Sequence, residues 1–314
     1  MKAERAELSA GVSLPGSLRA LLSGSIDYAG LFPPAGLPMA EAVANHMRYQ
    51  QDPHAWALGR FVLPAVRLGE FNSSLVPQPG TKPLRLSALI GPDLAGDIAL
   101  VEKFNELQFG IANVDALELK AATPGAIRND LALVAGRYVT YYEIPLNESA
   151  QPFLDVLANA RGSQAPNQAR VKIRTGGVIP DAFPEPAALA RFLEQCAAAR
   201  VPFKATAGLH HPLRAIHRLT YEANAPTAVM HGFINVFLAA AYARAGWDAE
   251  ALTEVLAEQT PSAFHFEKDC AYFRNQSLSA DDLENSRAEF LNSFGSCSFE
   301  EPINNLKQLG WLPK

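Results

Sequence analysis

Two stretches place cationic side chains where a strand would end. One reads Val171-Lys172-Ile173-Arg174-Thr175-Gly176-Gly177, the other Pro202-Phe203-Lys204-Ala205-Thr206-Ala207-Gly208. Side chains of an extended chain alternate between two faces. Lys172 and Arg174 therefore share one face and Val171 and Ile173 the other, while Lys204 shares its face with Thr206. Roughly 30 residues separate the lysines, the length of one βαβ unit, so their strands are expected to be neighbours about 4.8 Å apart. Two ammonium groups that close repel, and burial disfavours the charged form of both. The expectation is an amine of depressed pKa, able to attack a carbonyl. The competing reading is a pair of ordinary strand-end lysines bound to carboxylates.

Such carboxylates exist. Glu118 and Lys120 share a face in Leu117-Glu118-Leu119-Lys120, and Glu143 shares one with Tyr141. Either glutamate could move protons or pair with the lysines. Arg174 and Arg60 are candidate clamps for a carboxylate or phosphate, with Lys120, Glu143, Thr206 and His211 completing a substrate-binding set. The Gly208-Leu209-His210-His211-Pro212 loop adds imidazoles that titrate near neutral pH, and His210 is a candidate acid or base. The sequence has no HxH, HExxH or DxD pattern, and neither a metal nor a cofactor is expected. His231 reads equally as a capping or hydrogen-bonding residue and as a catalytic one. His46, His54, His217 and His265 read as surface or helix residues.

The elements that would position these groups alternate between short apolar runs and longer amphipathic segments, the pattern of βα units. Strands are expected at 25–31, 59–64, 84–90, 114–121, 138–145, 170–175 and 202–206, with 231–237 as a candidate eighth whose tail could equally open a helix. Helices are expected at 97–109, 184–200 and 249–258. The helix at 184–200 has proline near its start and a basic residue at its end. Eight such units predict a (β/α)8 TIM-type barrel over the whole chain, 1–314, with its core at about 20–277. Residues 278–314 are expected to form a C-terminal strap, or a lid bringing Cys297 or Glu300 to the pocket. A doubly wound sheet is the rival, but neither GxGxxG nor GxxxxGK[ST] occurs.

Bulk properties agree with this picture. The chain has 314 residues, 48% of them apolar, enough for a sizeable core. Its formal net charge of −5 and the lack of a basic run argue against nucleic acid. Three cysteines without CxxC spacing point to a reducing, cytoplasmic setting rather than a disulfide framework. Cys196 reads as a small core residue. The N-terminal MKAERAELSAGV does not read as a secretory signal, and no apolar run nears the roughly 20 residues of a membrane helix. The partner expected is a small anionic metabolite; a homo-oligomer is left open.

Lys172-Ile173-Arg174-Thr175-Gly176 and Lys204-Ala205-Thr206-Ala207-Gly208 resemble the two lysine strands of class I aldolases of the deoxyribose-phosphate aldolase type. That resemblance implies a TIM barrel, an imine on Lys172 and a second lysine, Lys204, that tunes it. Gly110-Ile111-Ala112-Asn113-Val114-Asp115 is similar to a further motif and would make Asp115 a proton-transfer residue. Arg174 departs from the pattern, which has a small residue there. Asp115 also has the wrong parity to share a face with Glu118 and Lys120 unless its strand bulges. Two other functions remain beside the aldolase. One is a non-covalent anion-binding barrel enzyme (a phosphoribosyltransferase, decarboxylase or isomerase), with Glu118 and Glu143 holding Mg2+. The other is a non-enzymatic binding protein whose lysines make structural ion pairs.

Overall fold

The computed structural model describes residues 14–76, 82–134, 136–146, 149–163 and 169–313. The MKAERAELSAGV stretch lies outside them. In chain order the first elements are α1 (Gly16–Leu22), β1 (Ile26–Tyr28), α2 (Met39–Tyr49), β2 (Leu58–Pro64), α3 (Leu68–Ser74), β3 (Leu84–Leu89) and α4 (Leu94–Leu107). Then come β4 (Ala112–Lys120), α5 (Pro124–Val134), β5 (Val139–Glu143), α6 (Gln151–Ser163), β6 (Ala169–Arg174), α7 (Pro186–Ala199) and β7 (Phe203–Thr206). An antiparallel hairpin, β8 (Ala215–Arg218) and β9 (Thr227–Met230), leads into α8 (Phe233–Arg244) and α9 (Ala249–Ala257). A small antiparallel sheet of β10 (Phe264–Phe266), β11 (Cys270–Phe273) and β12 (Gln276–Ser279) precedes α10 (Ala280–Glu289), β13 (Leu291–Ser296) and α11 (Glu300–Gln308).

Strands β1 to β7 follow one another around a closed barrel, and β13 closes it between β7 and β1. All eight are parallel. The TIM-type architecture expected from the alternating pattern is present. Outward-facing Phe61, Val171, Ile173, Phe203 and Phe294 are fully buried in the layer between strands and helices. Aromatic rings interlock there: Phe203 meets Phe192 of α7 and Phe290 edge-on, and Phe294 stacks on Phe233 of α8.

Two expectations are corrected. The run at 231–237 is not the eighth strand; from Phe233 it is helix α8, whose residues up to Ala243 are all buried. An apolar run buried on every side has no periodicity to separate helix from strand, and its continuation as Leu-Ala-Ala-Ala favours helix. Asn235 inside it accepts from the Arg214 N–H and donates to the Val255 and Glu258 carbonyls. The eighth strand is β13, inside the segment expected to be only a strap or lid. Its interior positions are Ser293 and Gly295, and small polar residues hide a strand from an apolar-alternation test.

Strand β4 does bulge. Leu86 pairs with Val114 but Ser87 pairs with Ala116, which leaves Asp115 as the extra residue. Beyond the bulge the parity changes, so both Asp115 and Glu118 reach interior partners.

Candidate active site

The interior of the barrel holds a column of alternating charge. Lys204 on β7 donates to Asp27 Oδ2 and to Glu118 Oε1, each at 2.6 Å. Lys172 on β6 lies 2.8 Å from Glu118 Oε2 and 2.8 Å from Glu143 Oε2. The order is Asp27, Lys204, Glu118, Lys172, Glu143: three carboxylates and two ammonium groups. Register explains it, because Lys172 pairs directly with Lys204 across β6 and β7 and Glu143 pairs with Lys172 across β5 and β6. Ser87 donates to Glu118 Oε1 at 2.7 Å, and Ser293 donates to Asp27 Oδ2 at 2.7 Å. Asp27 Oδ1 takes the Arg60 backbone N–H at 2.7 Å. Gly59 is required beneath it, since a Cβ there would fall 2.3 Å from Asp27 Oδ1.

The interior is dry at one end and open at the other. Side-chain exposure is 1% for Lys204 and Asp27, 2% for Glu118, 7% for Lys172 and 13% for Glu143. Burial opposes the charge on Lys204, yet the nearby Asp27 and Glu118 carboxylates outweigh it and hold the ammonium well above the usual lysine range. Burial likewise opposes the charge on Glu118, and Lys172 and Lys204 overcome it, holding the carboxyl well below the usual range. The expectation of a neutral amine from lysine–lysine repulsion is therefore corrected for Lys204: a shared carboxylate between the ammonium groups reverses the sign. The Tyr141 ring faces the Lys204 Nζ at 5.6 Å and adds to the stabilisation of the cation.

Asp115 does not join this column. Its carboxylate is held by Arg60 Nε at 2.5 Å and by Arg85 at 2.7 Å. Arg60, a candidate anion clamp from sequence, is thus already occupied by Asp115. Thr206, next above Lys204 on the same face of β7, is half-buried, and Gly295 leaves its hydroxyl room: a Cβ at Gly295 would lie 3.1 Å from Thr206 Oγ1. Arg174 and Lys120 are exposed at the strand ends, beside the register positions of Thr206 and Glu143. Glu118 and Glu143, considered as a Mg2+ pair, both bind Lys172.

A second cluster rims the same end. His210 Nδ1 lies 3.4 Å from Ser296 Oγ, 3.8 Å from Cys297 Sγ and 3.7 Å from Glu301 Oε2. Burial, then the neighbouring His211 and His217, push the His210 pKa down to about 4. His211 Nδ1 meets Asn305 Oδ1 at 2.6 Å, and its ring stacks on His217 with centroids 3.4 Å apart. The Tyr221 hydroxyl reaches Cys297 Sγ at 3.4 Å and Glu301 Oε2 at 3.3 Å. Of the residues expected from a lid, Cys297 is at this rim; Glu300 instead pairs with Arg48 on the outer surface at 2.6 Å.

His46 lies in helix α2, as one of the two expected readings has it, but is buried, and His217 lies in β8, neither helical nor without partners. His217 is the stacking partner just described. His46 is 1% exposed and packs between Tyr28 and Phe61, and burial pushes its pKa down to about 4. His231 Nε2 donates to the Pro184 carbonyl at 2.7 Å, the hydrogen-bonding one of its two expected roles. Asp27, Ser87 and Ser293 were missed. The signal for Asp27 was present in Ser25-Ile26-Asp27-Tyr28, where alternation turns Ile26 and Tyr28 outward and Asp27 inward. Tyr221 and Glu301 lie on a loop and a helix start, where no periodicity marks them.

Fold and interior together define a parallel (β/α)8 barrel with an ionised lysine–carboxylate column below its C-terminal rim. The sequence matches no family profile and no curated protein. Among solved structures it is similar to the deoxyribose phosphate aldolase of Aeropyrum pernix, described as having a unique tetrameric structure. Identity is 13%, the alignment covers 94% of this chain and 97% of that one, and the TM-score is 0.46. Among the described residues no helix is long and apolar enough to cross a membrane.

Proposed function

We propose that this barrel is a lyase of the aldolase type, acting on a small anionic carbonyl compound through an imine on Lys172. The observation that carries the reading is the position of Lys172. It stands at the open end of the charged column, between two carboxylates, one of which reaches the rim. Lys204 is enclosed and serves to keep Glu118 ionised. Glu143, the most exposed carboxylate of the column, takes the proton that Lys172 must lose before it attacks. The freed amine adds to the carbonyl carbon and water leaves; the resulting iminium takes the electron pair of its Cα–Cβ bond as that bond breaks, the β-hydroxyl gives up its proton to a base, and the far fragment departs as an aldehyde. The enamine then takes a proton and water releases the product. Arg174 and Lys120 hold the carboxylate or phosphate of the substrate at the rim. His210, neutral at physiological pH, handles a proton from the loop after β7. Asp115, neutralised by two guanidinium groups, has no part in the reading. With Cys196, Cys270 and Cys297 all free, we assign the reaction to the cytoplasm.

Borohydride reduction in the presence of short aldehydes and 2-oxo acids, followed by peptide mass analysis, tests the imine. The expected result is a reduced adduct on Lys172 that Lys172→Ala abolishes. An adduct pattern unchanged in that variant, or none with any compound the enzyme turns over, removes the mechanism.

A further inference from the structure

The rim cluster encloses a cavity of about 370 Å3 over the ends of β6 and β7 and the start of α11. His210, His211, His217, Tyr221, Glu301 and Arg218 line it, with Gly177 and Pro34 at its edge. The cavity lies at the end of the barrel where β6 and β7 finish: Gly177 follows β6 and the His210 loop follows β7.

In barrels the loops after the seventh and eighth strands, with a nearby helix N-terminus, frequently hold a phosphate. This place in the fold is the cavity just described, since β13 is the eighth barrel strand and α11 follows it. Its lining arginine, Arg218, is exposed, and the rest of its wall is not built for a dianion. The first turn of α11 carries Glu300 and Glu301. The Glu301 N–H is already satisfied by Ser298 Oγ at 3.1 Å. His210 and His217 are held neutral by burial, each with its pKa near 4. Among the described residues Glu301 makes no ion pair with a lysine or arginine; its charged-type neighbours are His210 at 3.7 Å and His211 at 4.0 Å. Burial pushes its carboxyl up.

What remains is a wall of imidazole and phenol groups around one carboxylate, with Arg218 exposed at its side and a flat pair of stacked rings beside it. A carboxylate accepts from two hydroxyls at once, imidazole and phenol donate or accept, and ring faces pack against C–H groups. We propose that this cavity is a subsite for an unphosphorylated, polyhydroxylated chain, the far end of the substrate of the reaction proposed above, on which this inference rests. Glu301 receives adjacent hydroxyls, with Tyr221 and His210 completing their hydrogen bonds. The anionic group recognised by Arg174 and Lys120 then sits at the other end of the molecule. The hairpin β8–β9, which supplies His217 and Arg218 and leads to Tyr221, determines the length of chain that fits.

Erythritol, a polyol that cannot form an imine, tests the subsite without the chemistry, titrated by NMR or calorimetry against the full-length protein with and without inorganic phosphate. Erythritol is expected to bind, and inorganic phosphate is expected not to displace it. Glu301→Gln is expected to weaken erythritol at least tenfold, and Tyr221→Phe, which keeps the ring, to weaken it several-fold. Competitive displacement of erythritol by inorganic phosphate overturns the proposal. So does no erythritol binding in the millimolar range, or affinities unchanged in both folded variants. The imine is read separately, from propanal and borohydride on the unaltered protein. Loss of that adduct with erythritol still bound removes the aldolase reading and leaves the subsite. An adduct without polyol binding does the reverse.

Discussion

Glu118→Gln is the sharpest test of the charged column. Glu118 bridges both lysines, at 2.6 and 2.8 Å, and all three side chains are almost wholly buried. Glutamine keeps the shape and the Ser87 hydrogen bond but removes the charge. At an effective dielectric of 20 each ammonium–carboxylate attraction at about 4 Å is worth about 4 kcal/mol. Against the two lost attractions stands the relief of Glu118's own desolvation, several kcal/mol. The difference is a loss of about 3–5 kcal/mol, the range seen when one partner of a buried pair is removed. For a domain of this size that corresponds to a fall in Tm of order 10 °C. The deficit depends on pH with a definite sign. The folded-state pKa of Glu118 is depressed, so its stabilisation is full above the unfolded value of about 4.3 and fades as pH falls below it. Lys204 is raised, so its stabilisation is full below about 10.4 and fades as pH rises through its folded value. The gap between wild type and variant is therefore widest from about pH 5 to 10 and narrows on both sides. Denaturant melts at about pH 3, 7 and 11 measure it. A deficit under about 1 kcal/mol at pH 7, or one that is flat with pH, refutes the ionised column.

Other perturbations separate its parts. Lys204→Met leaves Asp27 and Glu118 facing each other without their shared cation; we expect a loss of about 3–5 kcal/mol, recovered in part at acid pH, where one carboxyl protonates. Asn235→Ala strips partners from one buried N–H and two carbonyls, and a loss of about 3 kcal/mol in denaturant melts is expected, with the borohydride adduct on Lys172 unchanged. Phe294→Ala opens a cavity between β13 and α8 and should cost about 3–5 kcal/mol. His210 titrates near pH 4, so imine formation should show no His210 inflection between pH 6 and 7; an NMR titration of its ring midpoint near 6.5 would contradict its burial.

What the sequence made legible follows from where polarity and periodicity coincide. In β6 and β7 the outward faces are Val171, Ile173, Phe203 and Ala205, and the inward faces are cationic, so alternation assigns both strands and their site residues at once. Glu118 and Glu143 were legible for the same reason. β1 has only three residues, so its Asp27 was passed over within a strand judged weak. β13 is legible only in hindsight, because Ser293 and Gly295 fill its inner face and the apolar signal lies in Phe294 alone. The sign of the lysine pKa shift was not legible either. It turns on Glu118 lying between the two ammonium groups, a placement set by the β3–β4 bulge rather than by any pattern within β4. The rim residues Tyr221 and Glu301 come together from segments about 80 positions apart, and no local signal joins them.

The column also constrains the order of events in catalysis. A charged amine does not attack a carbonyl. A proton must leave before the imine forms, and the column offers only one exit. Toward β1 it ends at Asp27, enclosed beneath Ser293 and the Arg60 backbone, where a proton would neutralise the partner that keeps Lys204 charged. Toward the rim it ends at Glu143, which is in register with exposed Lys120. An anionic group bound by Arg174 and Lys120 adds negative charge beside Glu143 and makes that carboxylate the better proton acceptor. On the proposed imine mechanism, substrate binding at the rim and activation of Lys172 would be one electrostatic event, and an amine freed only with substrate in place would be protected from idle reaction with other carbonyls.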